Sequence, residues 1–231
     1  MTRILPPTLA ALRLHGAGPE PVEAAAVVFD LDGVLVDSEP AWVEVERLAV
    51  EALGGRWDPS RTDDLAGSAA AVANRVLAER CGLMGREQEL DEVIHRLGPK
   101  VFAEWVITMP GAVEVVRAAA GLVPVAIATN APRAIAEVSV AVLGLGQLIP
   151  VLVSVSDVRA GKPAPDVYLA AAAALEVPAA ACLAVDDTHT GLSAAVAAGM
   201  RTVAFGPPSR VPEGVIGVVP AWSQVAITEL R

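Results

Sequence analysis

The sequence predicts an α/β fold: a doubly wound, mostly parallel sheet with a small all-helical cap inserted after the first strand. Two observations predict it. Short Val-rich runs alternate with Ala-rich helical stretches along most of the chain. The spacing between runs then breaks once, where about 90 residues separate the first strand from the second against roughly 20–30 elsewhere.

The first strand is read at residues 25–29 (AAVVF) and the second at 123–128 (VPVAIA). Residues 151–155, 182–185 and 201–205 give three more, and 215–219 a weaker sixth. These runs do not alternate with polar residues, as expected of parallel strands covered on both faces. Helical periodicity fills the intervals at 112–120, 132–143, 165–175 and 191–198, with Gly121, Gly144 and Gly199 as expected stops. Strand and helix in alternation give a Rossmann-like core. The long interval, 38–108, holds candidate helices at 41–53, 69–81 and 86–105, the last with an expected interruption at Gly98-Pro99. The division that follows is an N-terminal extension (1–21), a discontinuous core (22–37 and 109–231) and a helical cap (38–108).

Composition bounds the partners. The chain has 231 residues, 54% of them hydrophobic and only 3% aromatic, so a full core must be built from Ala, Val and Leu. Seventeen Lys and Arg against 27 Asp and Glu give a net charge of −10 with no basic run, which argues against nucleic acid and anionic membranes. Mean hydropathy is +0.51. The longest uncharged run, 138–156, is broken by Gly144, Gly146 and Pro150 and does not read as a span. The N-terminal stretch carries Pro6 and Pro7 in its apolar part and reads as neither signal peptide nor anchor. Cys81 and Cys182 fit no metal spacing, and a reducing cytoplasm is the simplest setting. The expected state is a monomer or weak homodimer.

Ligands of open parallel sheets bind outside the carboxyl ends of the strands. The first strand is followed there by Asp30, Asp32, Gly33 and Asp37, and the second by Thr129 and Asn130. Asp157 and then Lys162 follow the third, and Asp186 and Asp187 the fourth. Carboxylates brought together repel one another, and a hard divalent cation with oxygen ligands, Mg²⁺ above all, lets them stay ionised. Lys162 is one of only two lysines beside fifteen arginines. A compact ammonium there suits pairing with both a carboxylate and a phosphoryl oxygen, and a solvated surface lysine is the plainer reading. Asp37 and Asp157, taken singly, suit a turn or a helix N-cap. Asp30 does not, because it follows four apolar strand residues and is costly there without compensation. His189 reads as a loop residue rather than a proton shuttle.

DLDGVLVDSE at 30–39, TN at 129–130, GKPAPD at 161–166 and DDTHTGLSAAVAAGM at 186–200 together resemble the four motifs of the haloacid dehalogenase-like superfamily. The resemblance is to the helical-cap branch that holds beta-phosphoglucomutases, phosphoglycolate phosphatases and sugar-phosphate phosphatases, and it spans about 25–205. It implies that Asp30 is the nucleophile and Asp32 the general acid and base. It implies that Thr129 and Asn130 bind the phosphoryl oxygens and that Lys162 neutralises them. Asp187, Asp30 and the Asp32 carbonyl would then ligate Mg²⁺, with Asp186 as a further ligand or an outer partner. The activity implied is a Mg²⁺-dependent phosphatase on a small phosphorylated metabolite, of sugar or polyol type, acting through an aspartyl phosphate.

The chain departs from that pattern in three places. Asp186-Asp187-Thr188 stands where the branch has Glu-Asp-Ser, a carboxylate one methylene shorter that can still coordinate, through water if need be. Trp42 stands where the phosphomutases carry His, and it serves cap–core packing or substrate contact. No Arg follows the Gly67-Ser68 turn of the cap to fork a second phosphate. The last two departures favour water as acceptor. A phosphomutase and a non-catalytic binding protein on the same core are the alternatives.

Overall fold

The computed structural model describes residues 11–58, 70–208 and 210–230. Among them the main sheet has six strands in the order β10-β9-β8-β3-β6-β7, all parallel. These are β3 (Ala26–Phe29), β6 (Val125–Thr129), β7 (Val151–Ser154), β8 (Cys182–Asp186), β9 (Arg201–Phe205) and β10 (Val215–Val219). Every residue of β3, β6 and β8 is buried, which is why these runs show no polar alternation. Successive side chains still face opposite layers. Val27 and Phe29 join one core with Ile127, Val185 and Trp222, while Ala26 and Val28 join another with Ala128, Ala184 and Tyr168. The second layer is built largely of alanine, so α6 (Asp166–Ala174) and α7 (His189–Ala197) pack against it. Helices α4 (Ala112–Ala120) and α5 (Arg133–Leu143) cover the other face.

The chain runs from β3 to β6 and β7 on one side, then crosses to β8, β9 and β10 on the other. The order reverses at β3, and such a reversal opens a crevice at the strands' carboxyl ends. Just past β3, two short strands, β4 (Val36–Asp37) and β5 (Ile107–Thr108), pair antiparallel. They form the two-way crossing into the helical insertion, which contains α1 (Glu39–Ala52), α2 (Ala70–Arg80) and α3 (Glu87–Trp105). Met109 donates to the Leu35 carbonyl at 2.9 Å and locks the return.

One expectation changes. The break expected at Gly98-Pro99 is absent: α3 continues through Pro99 to Trp105. Gly98 serves packing instead, since a Cβ there would lie 2.4 Å from Ile135 Cδ1 on α5. The described part of the N-terminal extension is structured. Leu12–His15 forms β1, which pairs antiparallel with β2 (Val22–Ala24) on one side and with β11 (Ala226–Glu229) on the other. Leu12 and Leu14 are buried in the main core. The Gly67-Ser68 turn and the Pro6-Pro7 stretch lie outside the described residues.

Among the described residues no helix is long and apolar enough to cross a membrane. Cys81 follows α2 and Cys182 opens β8, and both are buried.

Candidate active site

The crevice at β3 holds a cavity of about 280 Å³ between the sheet and the cap helices. Asp30, Asp32, Thr129, Asn130, Lys162 and Asp187 line its inner end. Asp30 caps β3, its backbone N–H donating to the Val185 carbonyl at 2.8 Å. The next residues turn back at once, with Leu35 N–H on the Leu31 carbonyl at 2.9 Å and Gly33 N–H on the Val36 carbonyl at 2.8 Å. Gly33 has φ +76°, and a Cβ there would lie 2.1 Å from Asp187 Oδ2. A glycine is required both for the turn and for the approach of that carboxylate.

Lys162 is 3% exposed, so the surface reading of this lysine fails. Its Nζ lies 2.7 Å from Asp30 Oδ1 and 2.8 Å from Asp186 Oδ2. Burial works against its charge, but Asp186 and Asp30 outweigh burial and hold the ammonium above its ordinary range. Asn130 grips the Lys162 backbone from both sides, its Oδ1 accepting the Lys162 N–H at 2.8 Å and its Nδ2 donating to the Lys162 carbonyl at 3.2 Å. The side chain expected to bind phosphate is thus engaged in positioning the lysine.

Asp186 is fully buried and completely engaged. Its Oδ2 accepts from Lys162 and, at 2.7 Å, from the Tyr168 hydroxyl. Its Oδ1 accepts from both the N–H and the hydroxyl of Thr188 at 2.9 Å. Thr188 in turn caps α7 through Gly191 N–H. Tyr168 was not flagged by sequence reasoning. It lies two residues beyond the GKPAPD string, where one Tyr in an otherwise alanine-rich helix is the only signal.

Asp187 stands differently. Its Oδ1 is buried without a hydrogen-bond partner. Asp30, Asp186 and Asp187 each offer a carboxylate oxygen, all within 4.8 Å of one another. Burial first, then the Asp186 charge, pushes Asp187 up to about 7. The same two causes raise Asp30 well above the usual carboxylate range despite Lys162. An orphaned carboxylate oxygen facing two more carboxylates fits a hard divalent cation, which would relieve this repulsion.

Asp32 faces the cavity from the other side. Trp42 Nε1 donates to its Oδ1 at 3.4 Å and Thr129 Oγ1 to its Oδ2 at 3.3 Å. Thr129 Oγ1 also accepts from Ala131 N–H at 3.0 Å. Burial raises the Asp32 carboxyl, and bonds from Ser38 and Trp42 offset part of that rise. Trp42 lines the cavity, and its ring meets Phe102 of α3, within the cap, edge-on at 4.9 Å.

Asp157 is outside the cluster, bound to Arg133 and to Ser154 N–H in a capped turn. His189 opens α7 rather than lying in a loop. Asp37 and His95 do line the cavity.

The description of haloacid dehalogenase-like hydrolases matches residues 24–199. A phosphorylated carbohydrates phosphatase from Thermotoga maritima is 30% identical over 185 residues, covering 77% of this chain and 83% of that protein. The fructose-1-phosphate phosphatase YqaB of Escherichia coli is 30% identical over 186 residues, covering 78% of this chain and 95% of that one. The crystal structure of CbbY from Rhodobacter sphaeroides in complex with phosphate superposes with a TM-score of 0.75 at 22% identity, over 87% of this chain and 95% of that one.

Proposed function

The chain belongs to the haloacid dehalogenase-like hydrolases, and from that premise we propose that it hydrolyses a small phosphorylated metabolite of sugar or polyol type, with Mg²⁺ as cofactor. One observation carries the reading. A carboxylate (Asp30), its ammonium partner (Lys162, 2.7 Å away) and an unpartnered buried carboxylate oxygen (Asp187) meet at the end of one cavity, with a second acid, Asp32, beside them. Phosphatase relatives over most of the chain support the same reaction.

In the proposed reaction an Asp30 oxygen attacks phosphorus and the bond to the leaving alcohol breaks. Asp32 gives that alcohol its proton. Asp32 then takes a proton from water as the water attacks phosphorus, which frees inorganic phosphate and restores Asp30. The raised Asp32 carboxyl holds a proton more readily than an exposed aspartate would, and Trp42 and Thr129 fix its direction. Lys162, kept charged by Asp30 and Asp186, neutralises the equatorial oxygens. Thr129 exchanges its bond to Asp32 for one to a phosphoryl oxygen when substrate enters. Asp30, Asp187 and the Asp32 carbonyl would hold Mg²⁺, with Asp186 outside that set because both of its oxygens are engaged. When bound, the metal supplies charge stabilisation to the phosphoryl oxygens. A cytoplasmic setting and a monomeric or weakly dimeric state belong to the same proposal.

Phosphate release from a panel of phosphomonoesters, with and without Mg²⁺, tests it. Wild type releases phosphate and Asp30→Asn does not, because an amide cannot attack phosphorus. Turnover retained in Asp30→Asn, or no release from any ester by the wild type, overturns the proposal.

A further inference from the structure

The inner end of the cavity accounts for the phosphoryl group; the outer end is made by the cap. Glu46 lies there, four residues beyond Trp42 on the same face of α1. Trp42 reaches Asp32, and Glu46 follows it by one helical turn, about 5.4 Å along α1. That is where the carbon skeleton of a leaving alcohol extends.

The neighbouring polar groups of the cap are already paired. Asn74 donates to Asp91 at 2.7 Å, and His95 Nδ1 lies 2.8 Å from the Asp91 carbonyl. Glu44 and Glu51, on the same helix, are held by Arg47. Glu46 has no hydrogen-bond or ionic partner among the described residues, and burial alone acts on its carboxyl. A carboxylate that lines a cavity without a protein partner is free to take a hydrogen bond from a ligand. Among the described residues that line the cavity, Lys162 is the only lysine or arginine, and its ammonium is engaged by Asp30 and Asp186. Among the described lining residues, a second phosphate or a carboxylate would therefore meet Glu46 and Asp91 with no free lysine or arginine to receive it. A hydroxyl meets no such obstacle, because it donates to a carboxylate and accepts from a carboxylic acid.

We propose that Glu46 hydrogen-bonds a hydroxyl of the leaving group and makes the cavity selective for monophosphates of uncharged polyols over phosphate esters that carry a second anion. The inference rests on the phosphatase reading. It goes beyond that reading in assigning the choice of alcohol to one side chain. Sites that hydrogen-bond a substrate hydroxyl discriminate strongly against analogues that lack it, because their own buried polar groups are then left unpaired.

Steady-state kcat/KM for a hexitol monophosphate, a hexose bisphosphate, an aminohexose monophosphate and p-nitrophenyl phosphate tests it in the Mg²⁺-loaded enzyme, as wild type, Glu46→Gln and Glu46→Leu. Wild type is expected to prefer the hexitol monophosphate to the bisphosphate by tenfold or more. Glu46→Leu is expected to lower the ratio of hexitol phosphate to p-nitrophenyl phosphate about tenfold, the size of one lost hydrogen bond. Glu46→Gln, which keeps a hydrogen bond but no charge, restores most of that ratio and narrows the gap to the bisphosphate. Hydrolysis of p-nitrophenyl phosphate reports a folded, working centre in each variant. If wild type hydrolyses no ester, the phosphatase reading falls and this inference with it. If p-nitrophenyl phosphate is hydrolysed but Glu46→Leu leaves the ratio in place, or the bisphosphate is preferred, this inference alone falls. Preference for the aminohexose ester, lost in Glu46→Gln, would replace the hydroxyl with an ammonium and overturn it as well.

Discussion

Replacing Glu46 by glutamine should stabilise the protein, and only above a defined pH. Burial lifts the Glu46 carboxyl from its ordinary 4.5 to about 7. The unfolded chain gives up this proton near 4.5, whereas the folded chain keeps it until about 7. Between those values the folded state binds more protons than the unfolded one, so stability falls as pH rises through the window and the full penalty is present above 7. Each pKa unit corresponds to about 1.4 kcal/mol, so the separation of the two values amounts to about 3 kcal/mol at most. Glutamine has the same shape and no charge to desolvate. Glu46→Gln should therefore exceed wild type by up to about 3 kcal/mol at pH 8, and the difference should close towards pH 4.5. Urea titrations of both proteins, without metal or substrate, measure it as a shift in midpoint at constant slope. Other buried carboxyls titrate in both proteins and cancel in the difference. A gap that is the same at pH 8 and pH 5, or a variant less stable at pH 8, would refute the reasoning: Glu46 would then be solvated or paired in solution.

Four further outcomes follow from the geometry of the inner site. Asp32→Asn should lose far more activity on a sugar phosphate than on p-nitrophenyl phosphate, by about 10²–10⁴-fold, since phenolate leaves without a proton; burst kinetics on both substrates check that slow release of the intermediate does not mask the gap. Chelation should silence the enzyme and Mg²⁺ restore it. Asp187→Ala should raise the Mg²⁺ concentration needed for half-activation at least tenfold, read by metal titration of activity. Asp186→Ala should instead lower the denaturation midpoint, because it strands Lys162 and Tyr168 in the core.

Much of the fold was legible because parallel strands covered on both faces leave continuous apolar runs, and β8 and β9 fall where those runs are read. The small antiparallel sheet was not. LRLH in β1 and AITE in β11 are four residues each and mix polar with apolar positions. Each takes its meaning from a partner almost a whole chain away, and a local pattern does not carry that pairing. Pro99 misled for a different reason: a proline in a helix reads as a stop, yet α3 gains from continuing because Gly98 lets it settle on Ile135. In the site, Asp30, Asp32, Thr129, Lys162, Asp186 and Asp187 were legible because chemistry at strand ends fixes both residue type and spacing. The division of labour between Asp186 and Asp187 was not. It depends on the Tyr168 hydroxyl and on the missing Cβ of Gly33 and Gly191, which decide which carboxylate is saturated and which is left open. Glu46 was invisible for a similar reason: an acidic residue on a helix looks solvated until a neighbouring helix covers it.

The pairing of β1 with β11 also sets how the molecule bears load. The two strands run antiparallel, with Leu12 opposite Glu229 and His15 opposite Ala226, so both flanking segments emerge at the same end of the ribbon. Tension drawn between those flanks does not shear the ribbon; it falls on one hydrogen bond after another, starting where Leu230 N–H meets the Ala11 carbonyl. The ribbon opens like a zipper, and the burial of Leu12 and Leu14 in the main core resists that opening. Because β1, β2 and β11 form a sheet of their own, traction on the flanks meets that sheet before it meets the strand that ends in Asp30.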